Sequence, residues 1–494
     1  MKKRLALLLV LLLALALAGC ADPVIGDPAP GDEQAAATPP ADAVILLEGD
    51  SASYPGGGVA ISGSTVTVTA PGTYAVRGTL NDGQLIVNTG EIPGNVTLVF
   101  DGADVTCLGD SAVYVAQAKN VNIVLAAGSV NRVCSGVEAD MAAWNDQATG
   151  AAIFAEDDLD IKGEGSLAVY GYRNSGIVCK DDLDLQGGTV TVLAANNGVR
   201  GSESVCITGG SLTVEAGHDG VKATSAKKEG KGWLHVEGGT VSVVCQGDGL
   251  SAESELTVSG GSVSVRTKGD PDELSCKGLK AKTALTVSGG TLDVEAQDHA
   301  LHSAGPLSVT GGSVRAVSAA AKGLAAHETI TVADCELTVR AAKDGLESVT
   351  ELVFESGVVN VTAAEDGLKA GEKGTGFDEP TGAVTVRGGE IRVSAGEDPI
   401  DAGRGLTVEG GSLFAIGSSF SKQLNVTSSL PCLRFSSGGA SGVAAKILLG
   451  KTELFSLNAF YDFNTVWLFD EGLTSGTEYI LSAGGSRALA KAVS

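Results

Sequence analysis

Leu212 and Val214 alternate with Ser211, Thr213 and Glu215, and this two-residue period recurs along most of the chain in short runs. Alternation of that kind predicts strands with one buried face. Two kinds of turn punctuate the runs. A glycine pair stands at Gly187-Gly188, Gly209-Gly210, Gly238-Gly239, Gly260-Gly261, Gly289-Gly290, Gly311-Gly312, Gly388-Gly389 and Gly410-Gly411, edited to Asp334-Cys335 and Ser356-Gly357 in between. An Asp-Gly pair stands at Asp219-Gly220, Asp248-Gly249, Asp344-Gly345 and Asp366-Gly367. Successive glycine pairs lie 22, 29, 22, 29, 22, 23, 22, 32 and 22 residues apart. Each period holds three short strands and three turns, with no helical stretch, which predicts stacked coils.

The interior of the stack is readable in the strand after each Asp-Gly turn. Its first inward position runs Ile177, Val199, Val221, Leu250, Leu279, Leu301, Leu324, Leu346, Leu368, Ile400. The second runs Cys179, Gly201, Ala223, Ala252, Ala281, Ser303, Ala326, Ser348, Ala370, Ala402. Large beside small at one height suits a narrow, densely packed interior. The expected fold is all-β: a right-handed parallel β-helix of about 22-residue, three-strand coils with a C-terminal β cap. Residues 44–150 read as irregular first coils and an N-terminal cap, with an excursion around Trp144. Residues 151–417 form the regular stack, and 418–494, richer in aromatics, the closing cap.

The first residues change the expected location. Lys2, Lys3 and Arg4 precede an apolar run, and Leu17-Ala18-Gly19-Cys20 reads as a lipobox, so residues 1–20 are expected to be a lipoprotein signal peptide with Cys20 the lipidated residue. Residues 21–43, rich in Pro, Ala, Gly and Asp, make a flexible tether. The expected product is an extracytoplasmic monomer held at the bacterial surface by its lipid alone. Charge narrows the partner. With 34 basic against 59 acidic residues the chain carries −25, which argues against nucleic acid. The eight cysteines after Cys20 contain no CxxC and read as small hydrophobes.

Insertions point to a face. The corners after Ala223, after Thr267 and after Ala370 are enlarged, and all flank the post-DG strands. The outward positions there include Arg200, Lys222, Lys280, His302 and Lys369, with Lys227, Lys228, Lys231, Arg266, Lys268 and Lys282 near them and Trp233 beside them. They are the candidate carbohydrate-binding residues; the bland alternative is solvated lysines protecting an exposed sheet. A second constellation is acidic. Asp181 and Asp182 follow Asp157 and Asp158 by one coil, and Asp219, Asp248, Asp344 and Asp366 stack at the Asp-Gly corner. Stacked like charges are costly without a cation, and calcium favours carboxylates and carbonyls, so structural Ca2+ is the expected cofactor. Alternatively each aspartate closes its own turn.

Ala151–Val192, AAIFAEDDLDIKGEGSLAVYGYRNSGIVCKDDLDLQGGTVTV, and the DG(V/L)KA turns that follow resemble the bacterial carbohydrate-binding domain-containing proteins. The resemblance implies a pectate-lyase-like fold, bound calcium, and adhesion to cellulose-like or acidic plant polysaccharide without catalysis. The chain departs from the turn pattern at Lys277-Gly278, His299-Ala300, Lys322-Gly323 and Asp398-Pro399. Two other functions compete: a calcium-dependent polysaccharide lyase with Lys222, Lys280 or Arg200 as base, and a purely structural surface adhesin.

Overall fold

The computed structural model describes residues 44–143, 150–371, 382–419 and 424–494. The expected signal peptide with Cys20, the expected tether and Trp144 lie outside the described residues. Within them the chain is all-β and solenoid-like, with only a short 3-10 turn at Glu138–Ala143.

Three parallel ladders run through the stack, each strand pairing with the strand one coil away. Ser204–Ile207, Trp233–Val236 and Glu255–Val258 belong to the first ladder, before the glycine pair. Thr189–Ala194, Ser211–Ala216 and Thr240–Cys245 belong to the second, after it. Val199–Gly201, Val221–Ala223 and Leu250–Ala252 belong to the third, the post-DG ladder. The first two ladders share one 31-stranded sheet, and the third is a 15-stranded sheet of its own. All ten residues in the large inward column of the third ladder, from Ile177 to Ile400, are fully buried. The small column beside it is buried as well, and its serines bond locally: Ser348 Oγ donates to Glu328 O at 2.6 Å.

The two turn glycines serve different needs. Gly210 has φ +73, a backbone state L side chains avoid, and a Cβ there would lie 2.6 Å from Gly188 O. Gly220 is not left-handed. It is small because a Cβ would meet Val243 Cγ1 at 2.2 Å. This explains two departures from the Asp-Gly pattern. Where Ala300 replaces that glycine, the register equivalent of the opposing valine is Ala316. Where Pro399 replaces it, the equivalent is Ala415. Volume gained on one strand is given up on the other.

At the C-terminal end Ser412–Gly417 pairs with Thr465–Asp470 in the antiparallel sense, which ends the parallel stack. A four-stranded antiparallel sheet, Ala444–Leu449, Thr452–Asn458, Glu478–Ala483 and Ser486–Lys491, follows around a core that includes Phe414, Phe435, Phe463 and Tyr479. All eight described cysteines are free thiols, and all but Cys206 are buried.

Candidate functional site

The outward column of the third ladder is continuous. Val178, Arg200, Lys222, Ser251, Lys280, His302, Ala325, Glu347, Lys369 and Asp401 are register partners one after another. Five of the six candidate carbohydrate-binding residues therefore share one line on one face. Trp233 does not. It lies on the first ladder and stacks on His235 with ring centroids 4.3 Å apart. Arg266 also leaves the strip, since it sits on the second ladder and pairs with Asp293 and Glu295.

The lysines of the line and the aspartates of the Asp-Gly corner turn out to be one system. Lys222 Nζ donates to Asp219 Oδ2 at 2.7 Å, and Lys280 Nζ to Asp248 Oδ2 at 2.7 Å. Lys369 Nζ reaches both oxygens of Asp344 at 3.1 Å and Asp366 Oδ2 at 3.2 Å. The four aspartates are buried. Their remaining oxygens hold the next coil in place. Asp219 Oδ1 accepts Asp248 N–H at 2.8 Å, Asp248 Oδ1 accepts Lys277 N–H at 2.9 Å, and Asp344 and Asp366 each accept the corner N–H of the coil above at 3.2 Å. Burial pushes the Asp219 carboxyl up, but His218 and Lys222 outweigh it and hold it at about 2. Each aspartate thus ties the turn of its neighbour, a role neither its own-turn reading nor the calcium reading anticipated.

The Asp181–Asp182 corner is filled in a similar way. The inserted segment after Ala223 folds back over it: Lys231 Nζ lies 2.7 Å from Asp182 Oδ2 and 3.2 Å from Glu203 Oε2, and Lys228 pairs with Glu203. Ser204 Oγ also donates to Asp182 Oδ1 at 2.7 Å. The inserted segment after Thr267 supplies Ser275, which donates to Asp248 Oδ1 at 2.7 Å.

A calcium ion fits this arrangement poorly. Ammonium, hydroxyl or N–H donors already engage both carboxylate oxygens of Asp182, Asp219, Asp248, Asp344 and Asp366, the oxygens a six- to eight-oxygen cage would use. For Asp181, burial and then Glu203 and Asp158 raise the carboxyl above its ordinary value. Among the described residues no group of three or more His, Cys, Asp or Glu side chains is placed to hold a metal ion. Beside Asp219, Asp248, Asp344 and Asp366 the neighbouring cation is a lysine ammonium. The same pairing bears on the lyase bases. Burial works against the charge on Lys280, yet Asp248 outweighs it and raises the ammonium above its ordinary value. Lys369 is raised too, against its own burial, by Asp344 and Asp366. Both are held as ammonium ions and not as neutral bases.

Toward the C-terminal end of the line the face opens into a cleft of about 630 Å³, whose wall includes His299, His302, His327, Lys322, Lys343 and Glu347. The His302 ring stacks on His299 at 5.4 Å and meets His327 edge-on at 5.7 Å. Burial lowers His302 to about 3, with the neighbouring His299 and Lys277 adding to the effect, and burial lowers His299 to about 4. His299 stands where other coils have the corner aspartate, and its Nδ1 accepts Lys322 N–H at 3.3 Å. His302 Nδ1 is buried without a hydrogen-bond partner among the described residues. Lys322 pairs with Glu347 at 2.5 Å. The cleft therefore offers imidazole faces, uncharged at His299 and His302, beside balanced charges, a surface suited to hydroxyl-rich ligands. Sequence reasoning named His302 and Lys369 but missed His299 and His327. The signal for His299 was its place in the Asp-Gly column.

The chain is 33% identical over 193 residues to a carbohydrate-binding domain-containing protein of Acetivibrio thermocellus, an overlap of 39% of this chain and 65% of that protein. The matched region thus spans less than two thirds of the relative's length. A solved structure described as the polysaccharide lyase-like protein from C. thermocellum, a gadolinium derivative, aligns over 50% of this chain and 96% of its own at 31% identity with a TM-score of 0.44. The model of the carbohydrate-binding domain-containing proteins matches residues 62–321 and 315–454, well over half of the sequence, and the chain belongs to that family.

Proposed function

We propose that this is a surface-anchored protein that holds a plant-type polysaccharide, cellulose-like or polygalacturonate, along the outer face of its third ladder and does no chemistry on it. In this reading the stack is a right-handed parallel β-helix, since its coils of about 22 residues lack the strict six-residue period of left-handed forms. The observation that carries the reading is the cleft. The rings of His299, His302 and His327 gather at one place on a continuous outward line, in a chain of a carbohydrate-binding family. Sugar hydroxyls can hydrogen-bond the polar groups of the cleft wall, and the CH face of a pyranose can lie on the imidazole rings. The lysines contribute less than their number suggests, because a sugar carboxylate would have to compete with a buried aspartate for each.

The test is affinity electrophoresis of the full chain in gels containing hydroxyethyl cellulose or sodium polygalacturonate. Wild type should be retarded by at least one polymer, and His302→Leu with His327→Ala should weaken that retardation about tenfold. Equal retardation of wild type and variant would move the site away from the cleft. The anchor part of the proposal has its own test. Cys20→Ala should shift the protein from the membrane fraction to the soluble one, and a variant that stays with membranes would refute lipid attachment at that thiol.

A further inference from the structure

We propose that Tyr114, Phe154, Lys180 and Arg200 form a second carbohydrate subsite that stacks a pyranose ring and pairs with its carboxylate. The proposal rests on the carbohydrate-binding reading of this face and adds a place and a ligand chemistry to it. The outward line does not begin at Arg200. It continues toward the N-terminus through Val178 to Phe154 and Tyr114, which are register partners on the strands Ala151–Ala155 and Val113–Gln117. Their neighbours Val113, Val115, Ile153 and Ala155 point inward and are fully buried, so the two rings stand on the outer surface, each half-covered. The ring centroids are 5.9 Å apart and tilted by 48°. Aromatic residues are only 4% of the chain, which makes a pair side by side on the binding face notable.

One cation stands by the rings and a second lies two coils along the same line, and both differ from the lysines farther along. Lys180 Nζ lies 5.7 Å from the Phe154 ring centroid, and among the described residues no carboxylate pairs with it. Arg200 has no carboxylate partner among the described residues either, and its Nε is buried with no hydrogen-bond partner. Lys222, Lys280 and Lys369 each hold a buried aspartate; Arg200 does not. On an acidic protein, unpaired cations beside an aromatic pair suit an acidic sugar: ring faces take the apolar CH surface, and the guanidinium takes the carboxylate in its fork. Tyr114 and Arg200 are three strand spacings apart, roughly 14 Å. From Phe154 to His302 is six spacings, roughly 29 Å, so one extended polymer could lie on both sites.

The test uses the full chain and sodium polygalacturonate in the gel. Tyr114→Ala with Phe154→Ala should weaken retardation about tenfold. Arg200→Gln should weaken it by a similar factor and flatten its dependence on salt. A milder variant guards against a folding effect: Phe154→Leu keeps apolar volume without the ring and should lose affinity several-fold. Full retardation of the alanine double variant and of Arg200→Gln, with the cleft variant impaired, would overturn the subsite and leave the cleft standing. Wild type retarded by hydroxyethyl cellulose but not by polygalacturonate would also overturn it. Retardation by neither polymer would overturn both.

Discussion

Replacing Val214 with aspartate is expected to cost about 3–5 kcal/mol, and Thr213→Asp less than about 0.5 kcal/mol. The two positions are adjacent in Ser211–Ala216, yet Val214 is 1% exposed and Thr213 faces solvent between Thr191 and Ser242. Val214 Cγ1 lies 2.2 Å from where a Cβ on Gly198 would stand, so the side chain is locked against the turn of the preceding coil. An aspartate there would enter the interior without a hydrogen-bond donor, since its surroundings are the aliphatic columns. Thermal and denaturant unfolding of both variants checks the expectation. Equal destabilisation would mean that the strand register is shifted by one residue.

Lys369→Met is expected to cost a similar amount, about 3–5 kcal/mol, although the residue is a lysine at the surface. Its ammonium serves Asp344 and Asp366 together, and both carboxylates are buried. Without the lysine they would face each other in a low-dielectric corner, and their pKa values would rise above the unfolded carboxylate value near 4. Groups raised in the folded state support folding below the unfolded value and lose that contribution as pH increases through the folded value. The deficit of the variant should therefore shrink toward pH 4 and grow toward neutrality, as read by melting temperature across pH. Lys446→Met, which removes an exposed pair with Glu453, should change stability by less than about 0.5 kcal/mol. Because lysine supplies the compensating charge, EDTA and millimolar calcium should leave wild-type melting unchanged. A calcium-dependent rise would show a cation site at these corners after all.

Much of the architecture was legible because turn and strand positions carry different chemistry. Period-two alternation named Val214 as inward and Thr213 as outward, and the Asp-Gly column placed Ile177 through Ile400 on one inward line. The outward line from Arg200 to Lys369 was legible for the same reason, since an inward column leaves only one outward position between its members. What each outward side chain pairs with was not legible. Lys222 and Asp219 are three residues apart in sequence, but Lys280 reaches Asp248 across an insertion and Lys369 reaches Asp344 on another coil. Those ion pairs turned two separate constellations, a basic strip and an acidic corner, into one charge-paired structure. A charge reversal at Lys222 and Lys280 would disturb the corners before it tested any ligand. Trp233 was misplaced because the lengthened corner before it obscured which ladder it begins. Tyr114 went unremarked because its coil lies where the repeat is degenerate, and Phe154 because the inward columns were followed only from Ile177 onward.

The corner ties are not evenly distributed. Asn197, Asp219, Asp248, His299, Asp344 and Asp366 each accept the next coil's N–H, whereas Lys277 and Lys322 occupy the same position and have no acceptor to offer. In a one-dimensional array the stability of the whole is a sum of unit terms and couplings between neighbours. At those two positions the lysine makes the tie itself, Lys277 to Asp298 and Lys322 to Glu347 on the next coil. Salt screens such partly exposed ion pairs more than it does the N–H ties to the buried aspartates. The two coils that carry His299, His302 and Lys322, and with them the wall of the cleft, are therefore where rising ionic strength should loosen the stack first.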